Sequence, residues 1–99
     1  MDLKIERTDG CFELEGELDM ATAPDLAELL RETGSASEPI LLDFSRISFM
    51  DSSGLRVILE AAAERNGGGG LVILHPRPQV QRVLDISIPG GTPGLEVRP

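Results

Sequence analysis

Apolar and polar positions alternate from the first residues of the chain. Leu3-Lys4-Ile5-Glu6-Arg7 has the period of two that a half-buried strand shows. Phe12-Glu13-Leu14-Glu15 repeats it, with Phe12 and Leu14 on one face and the two glutamates on the other. Between them Thr8-Asp9-Gly10 carries an Asp-Gly step, which tolerates the positive φ of a tight hairpin turn. Cys11 and Leu18 extend the second strand, and Gly16 marks a bulge or the strand's end. The period then lengthens. Leu26, Leu29 and Leu30, with Ala23 and Ala27, recur at helical spacing. Thr22-Ala23-Pro24-Asp25 predicts the helix start: a hydroxyl to cap a free N–H, a proline with helical φ and an acid in the first turn. Gly34 predicts the C-terminal cap, and Ser35 to Pro39 a loop.

Ile40-Leu41-Leu42-Asp43-Phe44 is nearly continuous apolar sequence and predicts a strand covered on both faces. Ile47, Phe49 and Met50 are further apolar anchors. Asp51-Ser52-Ser53-Gly54 predicts a turn that opens a second helix. That helix has Leu55, Ile58, Leu59 and Ala62 on one side and an Arg56–Glu60 pair on the wet side. Asn66 ends it, and Gly67 to Gly70 read as a floppy connector. Leu71-Val72-Ile73-Leu74 is another buried strand. His75-Pro76-Arg77-Pro78 leads into a shorter helix bearing Val80, Val83 and Leu84. After the Pro- and Gly-rich stretch Ile86 to Gly94, Leu95-Glu96-Val97 predicts a last short strand. The order is β-β-α-β-α-β-α-β, and helical crossovers make the last three strands parallel. Leu29, Phe44, Leu59 and Ile73 lie on the apolar faces of four elements and are expected to meet in one core. The fold class is α/β, a mixed sheet with helices packed against it. At 99 residues the chain is one domain's worth, 1–99.

Charge narrows the function classes. With 17 acidic residues against 9 basic ones, the net charge of -8 repels phosphate backbones and anionic headgroups. Lys4 is the one lysine, so no basic cluster exists, and neither a nucleic-acid nor a membrane partner is expected. A single cysteine, Cys11, excludes an internal disulfide and a Cys-based zinc site and fits a reducing compartment. The longest apolar runs fall far short of the roughly 20 residues of a membrane span. Met1-Asp2 leads at once into a patterned strand, so no signal peptide is expected and the setting is cytoplasmic.

Enzyme chemistry finds little support. A hydrolase elbow reads G-x-S-x-G, and Asp51-Ser52-Ser53-Gly54 lacks the first glycine. The one histidine, His75, sits beside two prolines, as surface-loop histidines do. Asp9, Asp19, Asp43 and Asp51 have no His or Cys neighbours at ligand spacing, so no metal and no cofactor is expected. Gly67 to Gly70 lack the G-K-[ST] of a phosphate loop. Asp51 or Ser52 caps the second helix on the plainest reading. Two hydroxyls and a carboxylate nevertheless exceed what one cap requires. A serine in the first helical turn, at the C-terminal end of a parallel strand, is where added anionic charge is well accommodated, because free N–H groups and the positive dipole end point at it.

The whole pattern resembles a family. Phe12 to Asp19, containing Gly16-Glu17-Leu18-Asp19, together with Thr22-Ala23-Pro24, resembles the "GELD…TA" segment of STAS domains of the anti-sigma factor antagonist (anti-anti-sigma) type. Ile40 to Phe44 followed by Phe49 to Leu55 is similar to that family's phosphorylation strand and motif, and Pro76 to Leu84 to its third helix. The resemblance spans residues 3 to about 97. In place of the family's more hydrophobic link before the last strand stands the Pro/Gly-rich segment 89–94. The resemblance implies a single STAS-type domain, not an enzyme, that binds an anti-sigma factor, itself a serine kinase, and so frees a sigma factor for transcription. It implies phosphorylation at Ser53, with Ser52 the fallback, which switches binding off until a phosphatase reverses it. Asp19, Asp51, Ser52, Ser53, Gly54 and Arg56 would form the partner-binding site. The alternative within the same fold is the STAS subunit of a lipid-transport ABC system, bound to the ATPase without phosphoregulation.

Overall fold

The strands follow the chain across one sheet in the order β1-β2-β3-β4-β5, with only the first pair antiparallel. They are β1 Leu3–Thr8, β2 Cys11–Leu18, β3 Ile40–Met50, β4 Leu71–Leu74 and β5 Leu95–Arg98. Between them run α1 Ala23–Glu32, α2 Ser52–Glu64 and α3 Pro78–Ser87. The computed structural model describes residues 3–8, 10–33 and 38–99. The expectations for Asp9, Gly34 and the loop 35–37 lie outside the described residues. At the hairpin, Thr8 pairs with Cys11 and Gly10 takes φ +80.

All three helices feed a single core. Phe12, Leu14, Ile40, Leu42, Phe44, Leu71 and Ile73 alternate along their strands onto one sheet face. Leu26 and Leu30 from α1, Leu55, Ile58 and Ala62 from α2, and Val80 and Leu84 from α3 join them. The physical reason is the strand order. From β2 to β5 each crossover steps the same way, so right-handed connections carry every helix to the same side. Right-handed crossovers put helices on the second face of an open sheet only if the stepping direction reverses somewhere along it, and here it does not.

This overturns the expectation that β3 is covered on both faces. Its second face, shared by Lys4, Glu6, Glu13, Glu15, Asp43 and Glu96, is largely open, with Leu41 and Leu74 half-buried and only Val72 fully buried there. The expected core foursome also needs correction. Phe44 and Ile73 are fully buried, but Leu29 and Leu59 are only partly buried and pack on the margin of the cluster. Each helix is turned so that Leu26 and Leu30, or Ile58 and Ala62, point inward instead.

β3 runs well past Phe44 because two bulges hide its period. Glu13 pairs with Asp43 but Glu15 with Arg46; Gly16 pairs with Ile47 but Glu17 with Phe49. Each step inserts one extra residue into β3, so the buried positions run 40, 42, 44, 47, 50. Gly16, at φ +125, sits at the second bulge.

The glycine run is a packed corner, not a floppy connector. A β-carbon on Gly69 would collide with the Glu38 and Pro39 backbone. The Gly70 carbonyl accepts the Ile40 N–H at 3.1 Å and Arg65 Nε at 3.2 Å, and Arg65 also donates to the Glu38 carbonyl at 2.7 Å. One guanidinium thus ties the end of α2 to the start of β3.

Candidate functional site

Parallel pairing of Leu18 with Met50 brings the ends of β2 and β3 side by side, so that Asp19 and Asp51 follow on adjacent strands. The Asp51 N–H donates to the Leu18 carbonyl at 3.2 Å, closing the last rung. Beyond it α2 begins. Asp51 is the N-cap, extended at φ -112, ψ -171, and its Oδ1 accepts the N–H of Ser53 at 2.8 Å and of Gly54 at 3.4 Å. Of the two cap candidates, the carboxylate holds the position. Ser52 is exposed and Ser53 half-buried, and neither hydroxyl has a hydrogen-bond partner among the described residues. Gly54 is buried against Leu18, whose Cγ would lie 2.5 Å from a β-carbon there.

The free N–H groups expected to face Ser53 are therefore already shared with Asp51. A new anion on Ser53 meets a capped helix end and a carboxylate beside it. Arg56 is exposed one turn along α2 and is the nearest cation by helical spacing. The expected Arg56–Glu60 pair does not form; the ion pairs among the described residues are Arg46–Glu15 and Arg98–Glu96.

Asp19 is equally committed. Its Oδ1 accepts the N–H of Ala21 at 3.0 Å and of Thr22 at 3.1 Å, folding residues 19–22 into a tight Asx turn. Thr22 does not cap α1 with its side chain. The buried hydroxyl donates to the Glu17 carbonyl at 2.7 Å and accepts the Asp19 N–H at 3.0 Å. The side chain fastens the turn to β2, leaving Pro24 and Asp25 to start the helix.

Two apolar residues at this end depart from the sequence reading: the pattern does not single out Met20, and Phe49, expected as an apolar anchor, is exposed. Met20 is 77% exposed at the tip of the 19–22 turn, and Phe49 is 37% exposed just before Asp51. With Ile86 they are the exposed large hydrophobics among the described residues. Met20 stands outside any strand or helix period, and that was the available signal; Phe49 was masked by the bulges of β3.

His75 takes no part in the serine site. It adopts φ +54 after β4, donates its backbone N–H to the Arg98 carbonyl at 2.8 Å, and its Nδ1 lies 3.1 Å from the Pro99 carbonyl oxygen. The groove between α1 and α2, about 330 Å³, is lined by residues such as Leu30, Arg31, Val57 and Glu64 and does not reach Ser52 or Ser53. Among the described residues no group of three or more His, Cys, Asp and Glu side chains is placed to hold a metal ion, and no helix is long and apolar enough to cross a membrane.

The order of elements and the fold coincide with one family. The family model for the STAS domain matches residues 2–88. The chain belongs to the STAS domain family. A Bordetella bronchiseptica STAS relative, provisionally named anti-sigma factor antagonist BtrV, is 34% identical over 91 residues, covering 88% of this chain and 78% of that protein. The crystal structure of an anti-sigma factor antagonist from Mycobacterium paratuberculosis shares the STAS fold with a TM-score of 0.76, over 95% of this chain and 83% of that one, at 24% identity. The anti-sigma factor antagonist SpoIIAA in its unphosphorylated form superposes with a TM-score of 0.66, over 96% of this chain and 86% of that one, at 25% identity. The mixed five-stranded sheet with three helices is thus the STAS architecture, and the relatives are named as anti-sigma factor antagonists.

Proposed function

We propose that this protein is an anti-sigma factor antagonist whose partner is an anti-sigma factor acting as a serine kinase, and that Ser53 is the phosphoacceptor, with Ser52 the fallback. The observation that carries this reading is the pair of hydroxyls at the start of α2, without partners among the described residues, on a helix end already capped by Asp51. Capping alone leaves both hydroxyls unused. The likeness to a relative named for its unphosphorylated form supports the same reading.

The switch works through charge. Phosphate brings about −1.5 to −2 charges at pH 7. On Ser53 it stands beside the Asp51 carboxylate and near Asp19, with Arg56 the exposed cation one turn away. A partner surface shaped around a neutral serine would have to bury that charge, which is expensive without a pairing cation. Asp19, Asp51, Ser52, Gly54 and Arg56 frame the contact, a phosphatase resets it, and the chain acts from the cytoplasm as one domain over residues 1–99.

The test is incubation with ATP and each purified anti-sigma factor of the serine-kinase class from the same genome, followed by intact-mass and fragment spectra. One phosphate on Ser53 supports the reading, and one on Ser52 moves it by a residue. Phosphate confined to Thr22, Ser45 or Ser87 overturns the site. Co-purification with an ABC ATPase and no phosphorylation would favour the transport-subunit role.

A further inference from the structure

The 19–22 turn holds an apolar side chain out into water. Side-chain hydrogen bonds build it: Ala21 N–H and Thr22 N–H to Asp19 Oδ1, Thr22 Oγ1 to the Glu17 carbonyl, and Asp19 N–H to Thr22 Oγ1; the Thr22 and Ala23 N–H groups also donate to the Asp19 carbonyl. At its tip Met20 is 77% exposed, so it contributes almost nothing to the core. The turn is anchored to the switch itself. A turn this fully bonded holds Met20 two residues beyond Leu18, the residue that packs on Gly54 and accepts the Asp51 N–H.

We infer that Met20 is the apolar anchor of the partner contact, entering an apolar pocket on the anti-sigma factor that is rimmed by arginine or lysine. This rests on the reading of Ser53 as the switch and adds the chemistry of the contact. Charge complementarity defines the rim: Asp19 heads the turn, Asp25 lies in the first turn of α1 and Asp51 caps α2, in a chain of net charge -8. A central apolar anchor inside a polar rim is the usual distribution of binding energy in such contacts. An unbranched thioether also adapts to an irregular pocket. Phosphate on Ser53 then acts on the ring of contacts that keeps water away from Met20.

The test uses the kinase-class anti-sigma factor that phosphorylates the unmodified protein, titrated calorimetrically against Met20→Ser, Met20→Leu and Ile86→Ser. Ile86 is 74% exposed on α3 and serves as the matched control. Met20→Ser should bind roughly tenfold or more weakly at an unchanged unfolding temperature. Met20→Leu should stay within about threefold, and Ile86→Ser should bind as the unmodified protein does. Unchanged binding of Met20→Ser, with phosphorylation still blocking the complex, overturns the anchor and leaves the switch standing. Equal loss in Met20→Ser and Ile86→Ser also overturns it, because the effect is then not local. If no anti-sigma factor of the set binds or modifies the protein, the anchor and the switch fall together.

Discussion

Leu18 fills the space that a side chain on Gly54 would need. A β-carbon at Gly54 would lie 2.5 Å from Leu18 Cγ and 3.0 Å from the Leu18 carbonyl oxygen, the same oxygen that accepts the Asp51 N–H. The two sequence motifs, Gly16 to Asp19 and Asp51 to Gly54, are therefore one packing unit. Glycine at position 54 lets α2 start directly against the end of β2.

Gly54→Ala tests that unit. Alanine is the better helix former by about 1 kcal/mol, so on propensity alone the change would stabilise. Overpacking against Leu18 should outweigh this, with a net loss of about 1–3 kcal/mol in urea unfolding. Leu18→Ala should be strongly non-additive with it, since the smaller side chain makes room for the new methyl. Additive losses would mean that the two residues do not share the space.

The second helix can be phased by stability. Ile58 is fully buried, whereas Leu59 sits at the edge of the cluster. Ile58→Ala should cost about 2–5 kcal/mol in chemical denaturation, and Leu59→Ala clearly less. The reverse order would rotate α2 by one residue.

Sequence patterning captured the elements better than their faces. The order of eight elements follows from local periods and turn residues, and Leu95 to Val97 pairs as a strand despite the Pro/Gly-rich stretch before it. What local pattern could not supply was the global step direction of the strands. That is why Leu41 and Leu74 looked covered, although every helix lies on the other side. The bulges of β3 blurred its period, and a helical stripe containing both Ile58 and Leu59 leaves its centre uncertain by one residue. At the site, the residue types at 51–54 were legible. The sharing of cap N–H groups between Asp51 and any added anion depends on side-chain direction, which spacing does not encode.

Cys11 reports on the open sheet face. Burial pushes its thiol pKa up, and the charges of Asp43 and Glu13 push it further. The neutral thiol is thus favoured in the folded state, a contribution present at low pH and lost as pH rises through the raised pKa. Alkylation by iodoacetamide near pH 8 should be slower than in the urea-unfolded chain. Asp43→Asn should speed it, because one of the charges opposing the thiolate is gone. Alkylation as fast as in the unfolded chain would contradict this environment.

The capped end of α2 decides how the fold bears a charge at Ser53. Two carboxylates roughly 6 Å apart repel by about 1–3 kcal/mol at a protein surface. A helix N-terminus returns only about 0.3–1 kcal/mol to an added anion. Since Asp51 already accepts the Ser53 and Gly54 N–H groups, Ser53→Asp should lose about 1 kcal/mol of stability in low salt, a loss reduced as salt screens the pair. In an Asp51→Ser background the same substitution should cost less, because a serine cap bonds the N–H group without opposing charge. Loss of partner binding should exceed what this destabilisation explains, since the folded fraction stays near unity in a domain stable by several kcal/mol. Ser53→Ala removes the acceptor and should bind while escaping kinase control. Measured side by side, unfolding and affinity separate the two mechanisms: if binding falls only in step with the folded fraction, the interface-charge switch fails and a conformational one replaces it.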